Sequence, residues 1–251
     1  MIETGYIQVA AALFLVALAI VLARVKAIPV EKEMAFGAVR SFVQLVAVGY
    51  ALEFIFNTES LWLVVLAVMV MITVGAYTAS GRAREGKGAF KISLAAIFTG
   101  SLVTLGLMLA LNIITSEARY IIPLGGMIIS NSMNASALTL DRVGSDLKGN
   151  RLAIETALSL GKTWRESSRS LYRQAVRAGM ISILNFMKTV GIVALPGAMT
   201  GMILAGVSPL KAVLIQIIVG YMLLSAVTIT SIMTVEMTVR RYFNDAEQFI
   251  P

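Results

Sequence analysis

Residues 61–79 read LWLVVLAVMVMITVGAYTA, a run without a single charged side chain. As a helix rising 1.5 Å per residue, it is about as long as the hydrocarbon core of a bilayer is thick, roughly 30 Å. The rest of the chain agrees. Of its 251 residues 58% are hydrophobic and 14% charged, where a soluble domain carries about a quarter charged. Apolar blocks of similar length recur at 6–22, 35–56, 92–114, 120–140, 183–205 and 210–235. The expectation is an all-α integral membrane protein: a bundle of about seven transmembrane helices in a single domain over 1–251. Glu3 precedes the first block where a signal peptide has basic residues, and no small-residue cleavage site follows, so a retained helix is expected there.

Connections are short except at 80–91 and at the polar stretch 141–182, where inner-surface helices are expected. Lys and Arg decide orientation. Seventeen of the 21 basic residues fall on one side: Arg24, Lys26 and Lys32, then Arg82, Arg84, Lys87 and Lys91, eight within 141–182, and finally Arg240 and Arg241. Arg119 and Lys211 fall on the other side; Arg40 and Lys188 lie within spans. The positive-inside rule places the N-terminus outside and the C-terminus in the cytoplasm of a multi-pass cell-membrane protein. It also accounts for the net charge of +7 without a nucleic-acid partner.

The chain has no cysteine and no histidine, which removes disulfides, thiol chemistry, imidazole ligands and the commonest general base. Its acidic residues are scattered and give no metal cage, so metal ligands stay unassigned. Met199 with Met202 and Met233 with Met237 fall at helical spacing and read either as apolar filler or as soft-metal ligands. A retinal-type protein needs a lysine deep in the last span, and Lys211 is at its outer edge. An intramembrane protease needs paired aspartates at mid-depth or a Ser with His. Neither is present, so no catalytic residue is assigned.

Gly161-Lys162-Thr163 matches the end of a phosphate-binding loop, but the first glycine of that motif falls on Thr156, and 151–160 reads as a helix rather than a strand. Gly161 is instead expected to turn the chain between two short inner-surface helices. In the second of these Lys162 begins a ridge in which Arg165, Arg169, Arg173 and Arg177 recur four residues apart, sharing a face. Gly179 is expected to end that helix. Such a ridge suits anionic membrane lipids or the carboxylates of a docking partner.

Within the spans, Gly126, Ser130, Asn134 and Ala137 make a small and polar stripe, with Asn131, Ser132 and Ser136 beside it. It fits either close helix packing or the lining of a pathway. Pro196 is expected to kink the sixth span, beside a G-x-x-x-G face of Gly197 and Gly201. Arg40 and Gln44 lie one turn apart in the second span. Arg40 either snorkels to the inner headgroups or pairs with Glu236 or Asp141. Glu53 and Glu59 near the outer end suit weak cation attraction only.

Glu155-Thr156-Ala157 followed by Gly161 resembles the E-A-A-x-x-x-G loop of ABC transporter permeases, though the importer pattern fails at 171–174. A wider match runs through RSFVQL (40–45), PLGGMIISNSMNA (123–135), the stretch 155–179 ending in A-x-R-A-G-M, and GIVALPGAMTGMILAG (191–206). The chain thereby resembles the FetB-type iron-export ABC permeases, relatives of the plant aluminium-tolerance permeases. That resemblance implies a permease subunit, not itself an enzyme and carrying no cofactor, that exports iron or another metal ion. The ATP and Mg would be bound by a separate ATPase subunit docking on Glu155, Gly161, Arg165, Arg169, Arg173 and Arg177. Arg40, Gln44, Ser130, Asn131, Asn134 and Glu236 are the pathway candidates, and a homodimer is expected because one bundle leaves little room for a central path. The rival reading is an ion-coupled carrier without an ATPase.

Overall fold

A computed structural model describes residues 6–58, 60–82, 88–244 and 246–250. Glu3, Glu59, Arg84 and Lys87, weighed above, lie outside the described residues. Those described form nine α-helices and two isolated bridges. Four helices are long and apolar enough to cross a membrane, α2 (Glu31–Thr58), α3 (Leu61–Ser80), α4 (Ala89–Ala110) and α9 (Pro209–Arg240). The chain is an all-helical membrane protein.

It divides into two compact units, Met1–Glu59 and Ser60–Pro251. The first holds α1 (Tyr6–Val25) and α2. Helix α1 ends with Ala27 left-handed at φ 53°, Ile28 N–H donating to Ala23 O and Ala27 N–H to Arg24 O. This is the Schellman closure usually built on glycine, and Pro29 after it bars the helix from continuing. Arg40 and Gln44 both sit exposed on α2.

In the second unit α9 packs on α4, α5 (Ala118–Gly149), α7 (Trp164–Thr189) and α8 (Gly197–Leu204), while α5 packs on α3, α4, α7 and α9. The core between them is apolar at two levels. Leu105, Ile128, Ile183, Leu223 and Val227 fill one; Val143, Leu147, Ile154, Val235, Val239 and Phe243 fill the other, towards the end carrying α6 (Arg151–Ser159). Small hydroxyl side chains line the seam of α4, α5 and α9. Ser136 donates to Ser93 (3.1 Å), Thr234 to Ser136 (3.3 Å) and Thr230 to Ser132 (3.1 Å). Hydroxyls let the helices approach closely while satisfying one another in an apolar interior. Gly100 is part of that approach, since a Cβ there would collide with Thr230 Oγ1.

Three expectations change. Of the two short helices expected within 141–182, the first is present as α6 (Arg151–Ser159), but α5 runs on to Gly149 before it and the second is not short: α7 continues for 26 residues, about 39 Å, from the arginine ridge into the bundle. Gly179 does not end α7. It is buried mid-helix where Thr139 Oγ1 of α5 and Ser231 Oγ of α9 would meet any Cβ, so its role is contact rather than termination. The sixth span is not a kinked helix either. It is broken: α7 stops at Thr189, Gly191 takes φ +82°, and Pro196 caps α8 with φ −61° and ψ 144°. The reason is local, because Gly191 N–H turns back to Ala194 O and proline brings no donor to carry the helical ladder across.

Candidate functional site

Helix α7 is launched by its own sequence. Thr163 Oγ1 accepts from Glu166 N–H, and the Thr163 N–H donates to Glu166 Oε2 at 3.0 Å, closing the reciprocal cap that satisfies two orphan donors. The hydrogen bond from the Thr163 backbone, then the one from its hydroxyl, holds the Glu166 carboxyl below its ordinary value. Before the cap, Gly161 takes φ +84° with open space around it; its freedom of φ, not any contact, makes the turn between α6 and α7. Lys162 therefore precedes the helix and does not start the ridge.

The ridge winds. Four-residue spacing overshoots a turn by about 40°, so Arg165 and Arg177 point roughly 120° apart. Arg165 stacks over the Trp164 ring, 5.1 Å from its centroid, and its Nη2 lies 3.4 Å from Glu236 Oε1 on α9. Trp164 packs on Phe243, ring centroids 5.9 Å apart, and the Trp164 backbone N–H donates to Glu247 Oε2 at 3.2 Å. Burial, reinforced by Glu236, raises the Tyr172 hydroxyl above its ordinary value. Trp164, Arg165, Arg169, Tyr172, Arg173 and Glu236 line a concavity of about 380 Å³. Arg169, Arg173 and Arg177 are exposed, and among the described residues none has a carboxylate within ion-pair reach. On α6, Glu155 is held by Arg151 at 2.7 Å. Open guanidinium forks of this kind are suited to bidentate bonds with carboxylate or phosphate.

The structure brings together only part of the proposed pathway set. Glu236 sits with Arg165 at the ridge, and Arg40 and Gln44 belong to the other unit. On α5, Ser130 and Asn134 are exposed, while Asn131 is half-buried and donates to Met127 O at 2.8 Å. Ser132 and Ser136 are buried in the hydroxyl seam. Sequence reading missed Thr139, Gln216, Thr230, Ser231 and Thr234, all buried. The fourfold spacing of Thr230, Thr234 and Thr238 inside an apolar span was the available signal. Among the described residues no three Asp, Glu, His or Cys side chains gather where they could hold a metal.

A polytopic helical bundle with a helix that joins an exposed arginine ridge to its core has the layout of a membrane permease. The model of the family described as "Uncharacterised protein family (UPF0014)" matches residues 6–243, and the chain belongs to that family of membrane permeases. It is 37% identical to "Protein ALUMINUM SENSITIVE 3" of Arabidopsis thaliana over 97% of this chain and 89% of that one. It is 34% identical to "Probable iron export permease protein FetB" of Escherichia coli over 97% and 94%, and 34% identical to "UPF0014 membrane protein YjkA" of Bacillus subtilis over 97% of each. No solved structure matches.

Proposed function

We propose that this chain is the membrane-spanning subunit of an ABC transporter, coupled to a separate ATPase that docks on α6 and the exposed face of α7. The single observation that carries the reading is the continuity of α7: one unbroken rod bears the exposed Arg169, Arg173 and Arg177 along its first half and packs closely on α5 and α9 at Gly179. Displacement of the ridge by a partner then moves the bundle, because a helix transmits a push along its axis where a loop absorbs it. ATP and Mg act on the partner; this chain catalyses nothing. The membrane is crossed seven times, by α1, α2, α3, α4, α5, the α7–α8 pair and α9, with both units forming one permease domain, the N-terminus outside and the ridge in the cytoplasm of the cell. Two copies assemble around the pathway.

The cargo reading is export of iron or another metal ion, supported by the similarity to the probable iron export permease of Escherichia coli. Such an ion would pass as a weakly held substrate along oxygen groups such as Ser130, Asn131 and Asn134 rather than in a cage. The test is stimulation of the co-expressed ATPase by the purified permease. Arg169→Glu with Arg173→Glu is expected to abolish it while the bundle melts unchanged. Full stimulation by that double variant would overturn docking on the ridge and leave its arginines to anionic lipid. The break at 190–196 is the observation that favours the rival, an ion-coupled carrier. That reading predicts cargo flux from the chain reconstituted alone under an ion gradient.

A further inference from the structure

The break in the sixth apolar block opens onto a cavity. From Gly179, where α7 touches Ser231, helix α7 rises only ten residues further to Thr189, about 15 Å; from Ser231, α9 extends back to Pro209, about 33 Å. Helix α7 thus ends some way short of the end of α9, and its last turn lies beside the apolar stretch of α9 around Gln216 and Gly220. Between them is a cavity of about 350 Å³, the size of a small-molecule site. Its floor is buried Met199, Gln216 and Gly220; its mouth is exposed Leu195, Ile217 and Tyr221. Among the described residues no lysine, arginine or carboxylate lines it, so neither a bare cation nor an anion finds a counter-charge there. The floor has one polar anomaly. Gln216 is 6% exposed and its Oε1 has no hydrogen-bond donor among the described residues, a state that destabilises while the acceptor stays unmet. A mouth at the depth of the α9 hydrocarbon stretch is reached by what dissolves in the membrane.

We infer that this cavity binds a neutral, long-chain molecule that carries one hydroxyl, its chain against Phe186, Met187 and Met199 and its O–H donated to Gln216 Oε1. The site rests on α9 being a membrane span and not on the ATPase or on the number of crossings.

A photoreactive diazirine analogue of dodecanol, added to the full chain in lipid nanodiscs and mapped by peptide mass spectrometry, tests it. Label is expected within 186–221, displaced by dodecanol and roughly tenfold less well by dodecane, the scale of one hydrogen bond in an apolar site. Gln216→Leu should erase that preference while keeping the label. Gly220→Leu should block labelling by filling the floor, where a Cβ already meets Met187 Sδ at 3.6 Å; if that variant does not fold, Gln216→Leu alone decides. Label spread along the exposed faces of α3 and α9, or dodecane competing as well as dodecanol, would overturn the assignment. ATPase stimulation is measured by neither arm, so a failure here leaves the coupling proposal standing, and the reverse.

Discussion

Gly179 shows how much one missing side chain decides. Thr139 Oγ1 and Ser231 Oγ, both buried, stand where its Cβ would be, with Ala135 O behind them at 3.2 Å. Gly179→Ala is expected to lower bundle stability by about 1–3 kcal/mol, the usual cost of overpacking, read as a lower melting temperature in detergent. Adding Thr139→Ala and Ser231→Ala should restore most of it. At the start of the same helix, Thr163→Ala should cost about 1 kcal/mol by removing the cap. The cap also sets a pH dependence. Because the folded-state Glu166 carboxyl titrates below its ordinary value, its contribution is full above the ordinary carboxylate range and is lost as pH falls through the folded value. The melting difference between the chain and Glu166→Gln should therefore shrink on acidification from neutral pH. By contrast Arg165 is solvent-exposed and Glu236 partly so; Glu236→Gln should alter stability by under about 1 kcal/mol.

At the scale of the element, α7 is read as a rod, and a rod fails if broken. Gln174 is exposed between Arg173 and Ala175, below Gly179. Gln174→Pro removes one helical hydrogen bond and clashes with the preceding turn. The expected outcome is an ATPase that still co-purifies but is no longer stimulated. Loss of co-purification would show instead that the whole face, and not the mechanical link, had been damaged. Helix α8 tells a different story at the same scale. Gly197 and Gly201 meet open space, so the G-x-x-x-G contact face is uncovered among the described residues. The glycine spacing was visible; whether anything lies opposite it was not.

For the whole molecule, charge segregation makes a topological prediction that the absence of native cysteine lets a clean experiment check. Ser116→Cys, in the turn between α4 and α5, should react with a membrane-impermeant maleimide in intact cells, and Ser145→Cys, near the end of α5, only after permeabilisation. Both labelled from one side would overturn the orientation. Helices α2, α3, α4 and α9 qualify by length and apolarity, whereas α5 carries Ser130, Asn131 and Asn134, and the sixth block divides into α7 and α8.

The class of fold and the ridge were legible because they rest on local quantities. A twenty-residue run without charge, a basic excess on alternate connections and arginines four apart are each complete within a few turns of chain. What was not legible depends on residues far apart in sequence. A glycine after an arginine ridge is equally a stop signal or a contact point, and only Thr139 and Ser231 on the facing helices decide for contact. Glu236 was free to answer any cation near the inner end until packing placed Arg165 against it. The continuity of α7, the hydroxyl seam and the cavity under Gln216 belong to the tertiary structure for the same reason: each exists only where two or three helices meet, and hydropathy along a single helix carries no record of its neighbours.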